Sequence, residues 1–173
     1  MAAVRSNMAQ LTPQISAHRM VRDYVEQLYR PAAADGARLA ADNASLGRDL
    51  SGWVGRVREA WHQVHLDELE MDEHMGDLGS ARPVATRVHL GPLSPADVTV
   101  EAIYGHLGQS GEIEGAQRVA LSPEGEPDGD GHRRFTGEIP LTVAGRQGGT
   151  ARVVPRHDLL AQPLDLGLVA WAG

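Results

Sequence analysis

The first third of the chain carries apolar residues at helical spacing. They recur every three to four positions between residues 17 and 30, and again between residues 46 and 61. Such spacing places side chains on one face of an α-helix. The two predicted stripes are Met20, Val21, Tyr24, Val25, Leu28 and Tyr29, then Leu46, Leu50, Trp53, Val54, Val57 and Trp61. The sequence therefore predicts two amphipathic helices and leaves 32–44 open as either helix or loose connection.

Two residues suggest where the first helix begins and ends. Ser16 is a suitable N-cap, because its hydroxyl can accept a hydrogen bond from a backbone N–H of the first turn. Pro31 lacks a backbone N–H and disfavours helical geometry in the residue before it. We therefore expect the first helix to end or kink at about Arg30.

After Trp61 the apolar period changes from 3.6 to 2, which is typical of strands with one face in water. Turn-forming residues separate the alternating stretches. The stretches are Val84–Leu90, Val98–Tyr104, Phe135–Leu141 and Thr150–Val154, and the turns are Gly91–Pro95, Gly108–Gly111, Pro123–Gly131 and Gly145–Gly149. Six or seven short strands without intervening helices predict an α+β chain, in which N-terminal helices (1–61) precede an antiparallel immunoglobulin-like β-sandwich (62–173).

Charge and composition exclude several classes of function. The net charge is −7 over 173 residues, and the acids are concentrated after residue 61. This balance argues against binding to nucleic acid or to an anionic membrane. The 16 cationic residues are all arginines, so no lysine can form a Schiff base. The chain has no cysteine, and it has neither a secretory signal nor an apolar run that could span a membrane, so we expect a cytoplasmic protein.

Possible metal ligands are densest just after the second helix, but their spacing matches no metal motif. The group consists of His62, His65, Asp67, Glu68, Glu70, Asp72, Glu73 and His74. We interpret it as an acidic, solvated lead into the strands. The segment Asp128–His132 resembles the opening of a calcium loop but lacks the rest of that pattern, so it indicates a turn. Gly145–Gly149 does not precede a helix, so it also predicts a hairpin turn rather than a phosphate cradle.

The aromatic residues of the helices permit two interpretations. Tyr24, Tyr29, Trp53 and Trp61 could form a sugar-stacking surface, but they coincide with the apolar stripes. We therefore expect core or docking contacts. No Gly-x-Ser-x-Gly elbow is present and no Ser-His-Asp set can be named from spacing. The sequence predicts no catalytic, cofactor-binding or metal-binding residue.

Five segments along the chain resemble those of one known family. In chain order they are Arg19–Tyr29 with Pro31–Ala33, Ser51–Trp61, Val88–Glu101, Arg152–Leu160 and Leu166–Trp171. The first two resemble consecutive helices in the C-terminal region of bacterial α-glucan (glycogen) phosphorylases, which are pyridoxal-phosphate-dependent glycosyltransferases. The others resemble a β-rich C-terminal extension found in one subgroup of that family. Together the five segments cover nearly the whole chain in the expected order.

The resemblance implies an enzyme that uses phosphate to release glucose 1-phosphate from an α-1,4-glucan. It also implies pyridoxal phosphate, which the family holds through a lysine in a stretch that this chain lacks. We therefore expect a non-catalytic C-terminal fragment. Its partner would be the missing catalytic domain or a second copy, bound through an exposed apolar helix face, with α-glucan as a further partner. The alternatives are a stand-alone carbohydrate-binding or protein-interaction β-sandwich and, behind it, an unrelated hydrolase.

Overall fold

A computed structural model describes residues 17–72, 77–142 and 144–173. Ser16, which is the predicted N-cap, lies outside the described residues, and so do Glu73 and His74. The chain divides into two compact units, Met1–Gly52 and Trp53–Gly173. These units are defined by contacts within each of them. The helical domain (1–61) and the sandwich domain (62–173) proposed from the sequence stay a prediction.

The described part of the first unit, residues 17–52, is helical, as predicted. Helix α1 spans Ala17–Tyr24, a π-helical turn follows at Val25–Tyr29, and α2 spans Arg30–Ala60. The end or kink expected at about Arg30 therefore takes the form of a π-helical turn, after which the chain continues as α-helix. Because the Arg30 N–H bonds to the Val25 carbonyl five residues back, the ladder is reset just before Pro31. A proline in the first turn after such a reset removes no helical hydrogen bond.

A second break lies inside α2, in the segment that the sequence left open. Ala41 is extended, and Asp42, Asn43 and Ala44 have positive φ angles of 48°, 56° and 58°. Left-handed backbone costs a residue with a side chain about 1–2 kcal/mol. Helix α2 therefore consists of two helical pieces, one on either side of a strained corner.

The described part of the second unit contains eight antiparallel strands. They are β1 (His65–Leu66), β2 (Glu70–Met71), β3 (Ala81–His89), β4 (Val98–Leu107), β5 (Ile113–Glu124), β6 (His132–Pro140), β7 (Gln147–Pro155) and β8 (Ala170–Trp171). Their order is β1-β3-β6-β5-β4-β7-β8, with β2 paired to β3. The α+β class is confirmed, and each of the four alternating stretches of the sequence lies in or at the end of a strand.

The finer prediction of an immunoglobulin-like sandwich is not confirmed. Strand β5 pairs with β4 over most of its length and with β6 through Ser122–Glu124. It therefore joins what would otherwise be two sheets into one continuous path. Strand β1, at one end of this path, comes close to β7 and β8 at the other end. The result is a nearly closed antiparallel sheet.

The inward-facing side chains of this sheet form the core of the second unit. Alternate positions of β3, β4, β6 and β7 point inward, as period 2 requires. The core includes Val84, Val88, Val100, Ala102, Tyr104, Leu121, Phe135, Ile139, Ala151 and Val153. A β-bulge follows Tyr104, where a Cβ on Gly105 would lie 2.5 Å from the Glu114 carbonyl oxygen. Glycine is therefore required where β4 and β5 approach each other.

Candidate functional site

The apolar stripe of α1 and the π-helical turn is exposed. Its six residues, Met20, Val21, Tyr24, Val25, Leu28 and Tyr29, have between 40% and 67% of their surface in solvent. Neither α1 nor the π-helical turn has a buried residue. The predicted apolar face is therefore present, and none of the described residues packs against it closely enough to bury it. A contiguous apolar face of this kind marks an interaction surface more often than ordinary protein exterior.

The polar side of the same helix is stabilised locally. The Arg19 guanidinium lies 3.4 Å from the Asp23 carboxylate one turn along. Exposed ion pairs at this spacing contribute only about 0.3–0.5 kcal/mol. The pair supports the helix but does not replace a packing partner for the apolar face.

The last turns of α2 belong to the second unit and are held by Trp53. Its indole Nε1 donates a 2.7 Å hydrogen bond to Asp97 Oδ1, and its ring lies 4.7 Å from the His157 ring. Trp53, Val57 and Ala60 are all buried. The prediction of a core role is confirmed for Trp53, whereas Tyr24 and Tyr29 lie on the exposed stripe.

Asp97 connects this anchor to the start of β4. Together with Ser94 it forms a capping box on the 3₁₀ turn Pro95–Asp97. Burial alone would raise the pKa of the Asp97 carboxyl, but hydrogen bonds from Ser94 and Trp53 outweigh it. With the added charge of Arg56, the pKa of Asp97 lies below its ordinary value.

The lowered pKa of Asp97 predicts a loss of stability in acid. A carboxyl with a depressed folded-state pKa stabilises the protein above its unfolded pKa of about 3.9, and this contribution is lost as pH falls through the folded value. We expect Asp97→Asn to lower the free energy of unfolding by about 1–2 kcal/mol at pH 7 and by much less at pH 3. Urea unfolding at both pH values measures this difference.

The exposed Glu68 provides the control for that experiment. Glu68→Gln should leave the free energy of unfolding unchanged at pH 7. An Asp97→Asn defect of equal size at both pH values would contradict the role assigned to the Asp97 charge.

The acidic group that follows α2 disperses in the structure. His62 bonds to the Glu59 carbonyl, Glu70 pairs with Arg134 at 2.8 Å, and Asp67 lies 3.9 Å from Arg87. Asp67, Glu68, Glu70 and Asp72 are all exposed. The interpretation as a solvated acidic segment is confirmed for these residues.

One member of that group, His65, joins two histidines from distant parts of the sequence. His65 of β1 is in direct register with His89 of β3, and His89 is in register with His132 of β6. The ring centroids are 4.7 Å apart for His65 and His89, 5.3 Å for His65 and His132, and 5.4 Å for His89 and His132. We call these three residues the histidine cluster. The sequence analysis missed it, because only strand register brings the three together.

The two glycine-containing segments behave differently. Asp128–His132 is the predicted turn, closed by hydrogen bonds from the backbone N–H groups of Asp130 and His132 to Asp128 Oδ1, each 3.0 Å long. These bonds and the Arg87 guanidinium hold the pKa of Asp128 below its usual value. The prediction of a hairpin at Gly145–Gly149 is wrong. Gln147, Gly148 and Gly149 are part of β7, and β7 pairs with β4 rather than with β6.

Trp171 is the exposed aromatic residue of the second unit's strands. It lies on β8, half its surface is in solvent, and the Arg152 guanidinium lies 5.5 Å from its ring centroid. Arg152 also pairs with Glu101 at 2.7 Å. Tyr104 and Phe135 are buried, as the alternating pattern indicated. The β region therefore offers one aromatic ring at the surface, and a cation already covers part of it.

The residues present do not fit the pyridoxal phosphate that the resemblance implies. The cofactor's aldehyde needs a lysine amine, and the chain has none. Among the described residues, no three His, Asp or Glu side chains form a group that could hold a metal ion. In the part of the chain that the structure describes, no helix is long and apolar enough to cross a membrane.

Comparisons with known proteins agree on one group of relatives. The glycogen phosphorylase C-terminal domain profile matches residues 61–173. Glycogen phosphorylase of Mycobacterium tuberculosis (strain H37Rv) is 36% identical over 172 residues, and so is that of Mycobacterium bovis. Maltodextrin phosphorylase of Thermococcus litoralis is 27% identical over 175 residues. No solved structure gives a significant match.

These matches cover nearly all of this chain but only a small part of each relative. Each covers 98% of this chain but only 20% of the relative. The chain therefore spans about a fifth of the length of the curated relatives that it matches.

Proposed function

The chain belongs to the glycogen phosphorylase C-terminal domain family, and on this basis we propose that it is the C-terminal part of an α-glucan phosphorylase, with a structural and docking role. The reaction, release of glucose 1-phosphate from α-1,4-glucan by phosphate, then takes place on the other four fifths of such an enzyme. The observation that carries the docking role is the exposed stripe on α1 and the π-helical turn.

The stripe has the chemistry of an intramolecular interface. Its six side chains are aliphatic, aromatic or thioether groups, and Arg19 and Asp23 already pair beside them. Burying such side chains contributes about 1.5–3 kcal/mol each when they become fully covered. We assign their cover to the catalytic part of the phosphorylase, because the relatives contain about four times more chain than this sequence matches.

The chain's own residues support a non-catalytic role. Pyridoxal phosphate supplies acid–base chemistry to phosphate when a lysine holds it, and this chain has no lysine. The contacts of the second unit hold its own elements together: Trp53 fixes the end of α2, and Arg152 links β7 to β4. We therefore place lysine, cofactor and substrate phosphate on the catalytic part. Pyridoxal phosphate dependence, α-glucan binding and a cytoplasmic location stay predictions for this chain.

A binding experiment tests the docking role. The probe is the glycogen phosphorylase of M. tuberculosis shortened by the fifth that this chain matches. We expect the chain to form a one-to-one complex with it, measured by size-exclusion chromatography with light scattering. Leu28→Asp should weaken the complex at least tenfold, because a carboxylate would have to be buried without a partner.

The neighbouring Gln27→Asp variant adds the same charge outside the stripe and should bind like the wild type. Failure of the wild-type chain to bind would contradict the docking role. A homodimer that Leu28→Asp disrupts, without any complex, would instead assign the stripe to self-association. The comparisons do not support the stand-alone carbohydrate-binding or interaction module.

A further inference from the structure

The exposed large apolar side chains of the second unit are concentrated in one short segment. Among the described residues of this unit, four have between 37% and 63% of their surface in solvent: Leu78, Leu164, Val169 and Trp171. Three of these four lie between residues 164 and 171. Single apolar residues scattered over a surface are normal, whereas neighbouring ones mark an interaction site.

Val169 and Trp171 lie on the same side of the extended segment that contains β8. Ala170 and Ala172, which alternate with them, pack against the core of the sheet. Because successive side chains of an extended chain point to opposite sides, Val169 and Trp171 point outward. Trp171 is in register with Arg152 of β7, so its ring lies on the outer face of the sheet beside that guanidinium.

A turn brings Leu164 towards this segment. The Gly167 N–H donates a 2.9 Å hydrogen bond to the Leu164 carbonyl, and Gly167 has a positive φ of 67°. A turn closed in this way holds its first and last Cα atoms less than about 7 Å apart. Gly167 is only two residues before Val169, so the backbone of Leu164 is kept near the extended segment. We call Leu164, Val169 and Trp171 the β8 patch.

The aromatic residue of the β8 patch is held in place by its neighbours. The Arg152 guanidinium lies 5.5 Å from the Trp171 ring centroid and is itself fixed by Glu101 at 2.7 Å. Half of the Trp171 surface nevertheless stays in solvent. A ring that is already fixed loses little conformational entropy when a partner covers it, and tryptophans of this kind commonly supply much of the binding energy of an interface.

Two charged groups that adjoin the β8 patch are bonded within the chain. Arg152 bonds to Glu101, and the Asp165 carboxylate accepts a hydrogen bond from the Gln162 N–H. A sugar site needs polar groups that are free to bind hydroxyls, whereas an apolar protein surface does not. The net charge of −7, with the acids concentrated after residue 61, also opposes pairing of two copies. The patch therefore fits an apolar surface of a different protein domain.

We propose that the β8 patch docks on an apolar surface of the catalytic part of the phosphorylase, as a contact separate from the stripe on α1 and the π-helical turn. The inference rests on the proposed function, which places this chain against that part. The occupant follows from the length of the relatives, of which this chain matches only 20%. Docking would bury the outward side chains of Leu164, Val169 and Trp171.

Binding to the shortened M. tuberculosis glycogen phosphorylase tests the proposal. Leu164→Asp and Trp171→Ala should each weaken the complex at least tenfold, provided that their circular dichroism spectra match the wild type. The first variant would bury a carboxylate without a partner, and the second removes the aromatic anchor. Leu78→Asp is the matched control, since Leu78 is also an exposed leucine of the second unit but lies outside the β8 patch. It should bind like the wild type.

Hydroxyl-radical footprinting of the wild-type chain does not rely on variants that fold. Oxidation of Trp171 and Leu164 should fall several-fold in the complex, while that of Leu78 should not change. If Leu28→Asp weakens the complex but Leu164→Asp does not, or if Trp171 stays reactive, the inference is overturned and docking through the stripe stands. Protection of Trp171 by maltoheptaose alone, or by self-association, also overturns it. The absence of any complex overturns the proposed docking role together with the inference.

Discussion

Replacing Trp53 by alanine is expected to lower the free energy of unfolding of the second unit by about 3–5 kcal/mol. Large-to-small changes of buried aromatic residues cost this much, because transfer free energy is lost and a cavity remains. Trp53 is 4% exposed, bonds to Asp97 and lies against His157. Its removal also leaves the Asp97 carboxylate without one of its donors. Urea unfolding at pH 7, followed by circular dichroism, measures the change.

Trp53→Phe separates packing from hydrogen bonding at the same position. It keeps an aromatic ring but loses the Nε1 donor, so we expect a cost of about 1–2 kcal/mol. On the exposed stripe, Tyr29→Ala should change the free energy of unfolding by less than about 0.5 kcal/mol. A Trp53→Ala cost as small as that of Tyr29→Ala would contradict the assignment of Trp53 as the anchor of α2.

Glu101→Ala is expected to lower the free energy of unfolding by about 2–4 kcal/mol. Glu101 and Arg152 are paired across β4 and β7, with two guanidinium nitrogens 2.7 Å from the same carboxylate oxygen. Their side chains are only 12% and 15% exposed. Removing one partner leaves the Arg152 charge largely buried beneath Trp171, and an uncompensated buried charge is strongly destabilising. Thermal and urea unfolding check this value.

Two variants show whether the missing partner causes the loss. The double variant Glu101→Leu with Arg152→Met removes both charges, and we expect it to recover most of the stability. Glu70→Ala breaks a pair with Arg134 in which both side chains are about half exposed, and should cost less than about 1 kcal/mol. Equal losses for Glu101→Ala and Glu70→Ala would show that burial of the first pair has no energetic consequence.

The spacing of apolar residues predicted the strands that have one clearly apolar face. The alternation in β3, β4, β6 and β7 reflects inward residues such as Val88, Val100 and Phe135. Strand β5 was not predicted as such, because most of its residues are exposed and its apolar residues do not alternate. The end or kink expected at about Arg30 took a form that the sequence did not specify. A π-helical turn reset the hydrogen-bond ladder, and no propensity rule at the level of single residues contains that option.

The order in which the strands pair could not be predicted from the sequence. Alternation shows which residues face inward but not which strands are neighbours. The switch of β5 from β4 to β6 at Ser122 decides between two separate sheets and one continuous path. The histidine cluster has the same origin. His65 drew notice only as part of an acidic segment, and its relation to His89 and His132 depends on the register of two non-consecutive pairings.

The place of β3 in the sheet has a consequence for synthesis on the ribosome. Its long partner, β6, begins about fifty residues after β3 begins, and β1 and β2 each offer it only two residues. At about 5–20 residues per second, the nascent chain carries β3 without that partner for several seconds. During this interval Val84 and Val88, buried in the finished protein, are open to other chains. The time at risk is set by the rate of translation, whereas the β4–β5 hairpin can pair as soon as it emerges.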